Sequence, residues 1–171
     1  TNGDSEAERR VVAVPLWVES GELWCGFVEG PAADFWAGSP LTFPEAPARE
    51  GADPWLQIAE LMPARFGVDA ANVLKLGRLD VVTLADDRQL MPMVVALPTP
   101  GVEGGASFAD QIVGIPLSVL AQPNLIEQKV GEVDGRQVRM QILHFGRHRV
   151  WGAAEWIVEN LLQRLGLDAA V

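Results

Sequence analysis

Two helical stripes, set in a chain otherwise cut into strand-length apolar runs, constrain the fold more than any other feature. The first opens at Asp53-Pro54, where Asp can cap the helix N-terminus and Pro, at the first helical position, loses nothing by lacking an N–H. Trp55, Ile58, Ala59 and Met62 recur at helical spacing, and Gly67 suits the C-terminal cap. Pro63 removes the bond back to Ala59, which predicts a kink or an early end. The second stripe runs from Val150 to Leu165, with Ala154, Ile157, Val158, Leu161 and Leu165 on one side and Gly166 ending it.

The remaining apolar runs are short and β-favouring. Arg10 to Val18 and Leu23 to Glu29 flank Glu19-Ser20-Gly21-Glu22, a hairpin signal, and Pro15 predicts an edge position or a bulge in the first strand. Leu41 to Phe43 forms a short strand after a Gly- and Pro-rich loop, and Val73 to Leu84 and Leu90 to Leu97 read as two strands joined through Ala85-Asp86-Asp87-Arg88. Gln111 to Ile115 is a strand and Pro116 to Ala121 a short helix; Leu125 to Val130 and Gln137 to Phe145 form a hairpin around Asp134-Gly135. Strands interleaved with two main helices predict an α/β sandwich around a mixed sheet. With no internal repeat and no dividing linker, the 171 residues suit a single domain over residues 11–171 behind a loose polar tail, residues 1–10.

Thirteen basic residues against twenty-three acidic ones leave a net charge of −10, a field that repels nucleic-acid backbones and anionic membranes, so neither is expected as a partner. No apolar run reaches the ~18–20 residues that span a bilayer, and no basic segment precedes an apolar one as in a secretory signal, so a cytoplasmic location is expected. Cys25 is the one cysteine, which rules out an internal disulfide and a cysteine-based zinc site; its apolar surroundings, Leu23-Trp24-Cys25-Gly26-Phe27, predict a buried, inert thiol.

Three stretches carry a family resemblance. They are Phe145-Gly146-Arg147-His148-Arg149-Val150-Trp151-Gly152-Ala153-Ala154, Ile115-Pro116-Leu117 and Leu41-Thr42-Phe43-Pro44. The first is similar to the run of a tyrosine or phenylalanine, a glycine pair and His-Arg-Ile-Trp-Gly-Ala-Thr that opens the last helix in the coenzyme A pyrophosphatase-like branch of the Nudix hydrolases. The others resemble that branch's Val-Pro-Leu and Phe-Pro-Gly-Gly segments. The resemblance covers roughly Val11 to Leu165 and implies a Nudix-type α/β/α sandwich around a mixed sheet.

It also implies a Nudix box, and there the chain departs. Anchored on Gly67-Val68, the box places its opening Gly at Ala46, its first Glu at Ala52, its Arg-Glu pair at Glu60-Leu61 and its Glu-Glu pair at Ala64-Arg65. Two further glutamates often found upstream in the branch fall at Phe108 and Gln111. Carboxylates three and four residues apart share a helical face and hold Mg²⁺ or Mn²⁺ against a diphosphate. A positive charge ~4 Å from the ion's place, at an effective dielectric of ~20, is worth about 4 kcal/mol of the wrong sign. No catalytic residue, bound metal or other cofactor is therefore expected. Glu45, Glu50, Asp53 and Glu60 are the nearby acids left for a displaced Mg²⁺ or Mn²⁺ site, unless Asp53 only caps its helix and the others are surface carboxylates.

Arg65 has two readings. It can hold a phosphate directly, forming a basic lip with Arg147, His148 and Arg149, or it can pair with Glu60 or another nearby acid while His148 and Arg149 cap or brace the last helix. Trp17, Trp24, Trp36 and Trp55 could stack an adenine; phase assigns Trp24 and Trp55 to the core, and Trp36, in a loop, is the residue to contact a ligand or partner. His144 is a structural strand residue in this reading. The expectation is a binding or regulatory module that recognises a nucleotide-like small molecule or a protein without turnover, free to dimerise. The alternatives are a metal-dependent hydrolase of a nucleoside-diphosphate-linked compound with rearranged acids, and an assembly subunit.

Overall fold

The computed structural model describes residues 8–30, 39–101, 105–109, 112–122, 125–133 and 135–167. The elements run β1 (Arg9–Glu19), β2 (Glu22–Glu29), β3 (Ser39–Thr42), β4 (Glu45–Pro47), α1 (Pro54–Phe66), β5 (Leu74–Arg78), β6 (Val82–Thr83) and β7 (Gln89–Ala96). They continue with β8 (Ile112–Pro116), α2 (Leu117–Leu120), β9 (Ile126–Val133), β10 (Arg136–Phe145), β11 (His148–Val150) and α3 (Gly152–Arg164). The strands line up in the order β5-β7-β1-β2-β3-β11-β10-β9, with β4 also on β1, β6 on β7 and β8 on β2. The sheet is mixed: β1 pairs parallel with β7 and antiparallel with β2.

Alternation along β1 divides the molecule into two cores. Val11, Ala13 and Trp17 face α1 and pack with Ile58, Met62, Phe66, Met93 and Val95. Val12, Val14 and Leu16 face the other way, toward Phe27, Val94 and the α3 residues Ile157, Val158 and Leu161. A strand covered on both faces reads as a continuous apolar run, which is why Val11 to Trp17 is buried throughout. The result is the expected sandwich, with α1 on one face and α3 on the other.

Pro15 is neither at an edge nor in a bulge, and the reason is geometric. Leu16 C=O accepts from Leu97 N–H, so position 16 points toward β7 and position 15 toward β1's opposite flank. That flank is held by β4 from Arg10 to Val12 and by Pro44 at Ala13, and β2 takes over only at Leu16. Pro15 stands in the gap between partners, where its missing N–H leaves no bond unmade. Pro92 does the same in β7. It falls between the β6 pairs at Gln89 and Leu90 and the β5 pairs that begin at Met93. This also explains why the segment from Val73 to Leu84, expected as one strand, is two short ones.

Pro63 does not stop α1, which continues to Phe66. Met62 and Phe66 are wholly buried and anchor the final turn. Gly67, at φ 60°, closes the helix with its N–H on Pro63 C=O at 3.1 Å. The last helix starts later than expected, at Gly152, because His148 to Val150 is taken up as β11 between β10 and β3. Cys25 is buried, and burial pushes its thiol pKa up, as fits an inert side chain.

Candidate functional site

The approach to α1 is built by side chains that satisfy the backbone. Asp53 accepts from Trp55 N–H at 3.0 Å, so its carboxylate serves as the N-cap. Gln57, one helical step before the stripe residue Ile58, is 5% exposed. Its amide accepts from Arg49 N–H at 3.0 Å and donates to Pro47 C=O at 2.9 Å, clamping the β4–α1 loop to the helix. At the other end, Ser107 N–H and Ala109 N–H donate to the carbonyls of Phe66 and Arg65. Phe108 between them stacks edge-on against Trp17 (centroids 4.6 Å apart) and Phe66 (5.4 Å).

On the outer face of α1, Leu61 is half-buried and Ala64 and Arg65 are exposed. The first two offer no oxygen, and the third is a cation. Of the other acids considered for a metal, Glu45 accepts from Arg10 at 2.8 Å, Asp53 is occupied as the cap, and Glu60 pairs with Arg49 at 2.6 Å. Glu8's hydrogen bond to Arg10, with Glu45's charge beside it, raises that guanidinium above its ordinary pKa. Glu50 is exposed in the loop. Among the described residues no three His, Cys, Asp or Glu side chains converge in a way that could hold a metal ion.

Since Glu60 belongs to Arg49, the pairing of Arg65 with Glu60 is corrected: Arg65 makes no ion pair among the described residues. Arg147 and His148 turn instead toward Glu29 at the end of β2, at 3.3 Å and 3.6 Å, and Arg149 donates to the Gly146 and His148 carbonyls. Trp36 and Gln111 lie outside the described residues. Trp17 is core, whereas Trp24 and Trp55 are half-buried; Trp24 donates to Glu19 C=O at 3.1 Å and Lys75 sits 5.7 Å from the Trp55 ring centre. His144, in β10, contacts Glu127 of β9.

Two stretches singled out in the sequence do meet. Leu41-Thr42-Phe43 and Trp151-Gly152-Ala153-Ala154 line the same cleft of about 300 Å³, with Val12 and Leu90 at its floor. Glu45 is the single ionisable side chain among the described residues lining it, and Arg10 holds that carboxylate. Apart from Thr42 the other lining residues are apolar or glycine, with the Trp151 indole among them. The cleft suits a flat or apolar ligand part better than a phosphate. Neither Arg65 nor Arg147 nor His148 lines it.

No protein-family model matches the chain, and no curated protein matches its sequence. Solved structures do. A MutT/Nudix family protein from Enterococcus faecalis superposes with a TM-score of 0.61 at 11% identity; the match covers 97% of this chain and 64% of that one. The Nudix domain of Shewanella oneidensis NrtR, solved in complex with ADP ribose, gives 0.51 at 12% identity over 94% of this chain and 90% of that domain. Ap4A hydrolase from C. elegans gives 0.50 at 9% identity, covering 65% and 81%. The chain has the Nudix fold. Among the described residues no helix is long and apolar enough to cross a membrane.

Proposed function

We propose that this is a Nudix-fold domain of the coenzyme A pyrophosphatase-like type that binds a nucleotide-like small molecule, in the cytoplasm, without hydrolysing it. The observation that carries the reading is the outer face of α1. Leu61, Ala64 and Arg65 stand where a metal-binding box needs carboxylates, while Glu45, Asp53 and Glu60 are engaged by Arg10, a helix N-terminus and Arg49. Without a divalent ion nothing neutralises a diphosphate or activates the attacking water. In this reading the box is degenerate, the protein works without a metal cofactor, and Arg65 meets the ligand's phosphate directly. ADP ribose, the ligand of the NrtR domain, is a sensible first probe.

The test is a panel of coenzyme A, ADP ribose and dinucleoside polyphosphates, each with Mg²⁺, with Mn²⁺ and with a chelator. A rise in Tm with ligand in metal-free buffer and no turnover is expected, and the rise should vanish in Arg65→Glu. Chelator-sensitive hydrolysis would show that the rearranged acids work after all. As a companion, Leu61→Glu, Ala64→Glu and Arg65→Glu together should create Mn²⁺ affinity measurable by calorimetry, since three carboxylates then share one helical face.

A further inference from the structure

A larger cavity, of about 760 Å³, opens between α3, β6 and the β9–β10 hairpin. Glu155, Glu159, Trp156, Met140, Gln128 and Arg139 are among the residues that line it. Glu155 is 6% exposed, yet no described residue gives its carboxyl a hydrogen bond or an ion pair. Its carboxyl oxygens are not among the wholly buried, partnerless side-chain atoms of the described residues, which are His144 Nε2 and His148 Nδ1; the accessibility they keep is where the residue lines the cavity. Gln57, equally buried, has both ends of its amide satisfied.

The surroundings indicate what would satisfy it. Glu159 follows Glu155 by one helical turn on the same face, so the two carboxylates repel each other and share one demand for positive charge. Arg139, on the opposite wall, is exposed and pairs with neither. Trp156 is 67% exposed and Met140 half-buried, so an indole and a thioether border the acidic wall. An indole face attracts a cation, most strongly where water is thinned. The net charge of −10 draws cations toward the whole molecule.

We propose that this cavity binds a small organic amine, its ammonium held by the carboxylates of Glu155 and Glu159 and its apolar body lying against Trp156 and Met140. The site lies apart from the α1 face and stands whether or not a nucleotide binds there. The Glu155 carboxyl is pushed up to about 7, by burial first and by Glu159's charge second, against the pull of the α3 N-terminus toward the anion. Glu155, Glu159 and Arg139 are the charged groups lining the cavity, so amine binding strengthens as pH rises and Glu155 gives up its proton.

Calorimetric titration of the full chain with phenethylamine and, in parallel, with 2-phenylethanol, its uncharged counterpart, tests this. The amine should bind at least about tenfold tighter than the alcohol near pH 8, with the margin shrinking near pH 6. Glu155→Gln and Glu159→Gln should each weaken amine binding by roughly fivefold or more, and Arg139→Ala should leave it intact or strengthen it. Equal affinity for amine and alcohol, no amine binding at millimolar concentration, or amine affinity untouched by both Glu variants overturns the proposal. So does loss of binding in Arg139→Ala. Should Glu155→Gln fail to fold, Glu159→Gln, at an exposed position, decides between the same two outcomes.

Discussion

On one face of the sheet α1 buries Gln57, and on the other α3 buries Glu155, to nearly the same extent. Gln57 is neutral and meets Arg49 N–H and Pro47 C=O, so its burial holds a loop in place at little electrostatic cost. Glu155 is ionisable, meets no described partner and faces a cavity. A satisfied buried amide rigidifies the scaffold; an unsatisfied buried carboxyl stores an unmet interaction that a ligand can supply. Glu45, Asp53 and Glu60 near α1 are likewise engaged, by Arg10, a helix N-terminus and Arg49, and Asp80 is held by Asn160 and Arg164 of α3, whereas Glu155 and Glu159 meet no described partner.

Gln57→Ala probes the satisfied side and should have the largest effect. It strands a buried N–H and a buried C=O and leaves a void, so a loss of about 3 kcal/mol in urea unfolding is expected. A loss below about 1 kcal/mol would mean water replaces the amide and the clamp is dispensable. Glu155→Gln probes the other side and should depend on pH. The native carboxyl titrates at about 7 against an ordinary 4.5, so the native state holds its proton more tightly than the unfolded chain. That contribution is fully present below the lower value and is lost as pH rises through the upper one. Glutamine does not titrate, so the variant should gain on the natural protein, on the order of 2 kcal/mol between about pH 5 and pH 8 once water in the cavity is allowed for. A gap that stays flat across those pH values would mean the carboxylate already has a partner. Glu60→Ala removes an ion pair whose two side chains are more than half exposed, and should cost about 0.5 kcal/mol or less, shrinking further with salt. An appreciably larger loss would promote Arg49–Glu60 to part of the clamp.

Much of the scaffold was legible in order along the chain. Asp53-Pro54 and Gly67 bracket α1 because caps and Pro positions are local chemistry, and the Trp55–Met62 stripe reports burial through its period alone. Strand pairing was less legible. Pro15 read as an edge or bulge signal because a missing N–H is costly only where a partner strand waits for it, and the gap between β4 and β2 arises from residues remote in sequence. That Leu61, Ala64 and Arg65 carry no carboxylate was visible directly in the chain. That Leu41–Phe43 and Trp151–Ala154 wall one cleft was not legible, since they lie more than a hundred residues apart and meet only in the fold. Gln57 gave a faint signal, as a polar residue bordering an apolar stripe. Glu155 gave none, since an acid in a first helical turn is ordinary.

Spacing and side-chain chemistry within one or two turns of chain thus sufficed for most elements, the cap of α1, the absence of oxygen at Leu61 and Ala64, and the buried side of the last helix as far as Leu161, while Leu165, expected on that side, is exposed. Which acids are neutralised and which are not was set by folding, because that depends on whether an arginine or an amide from elsewhere arrives within hydrogen-bonding reach. Arg10 reaches Glu45 across thirty-five residues, and no described group reaches Glu155.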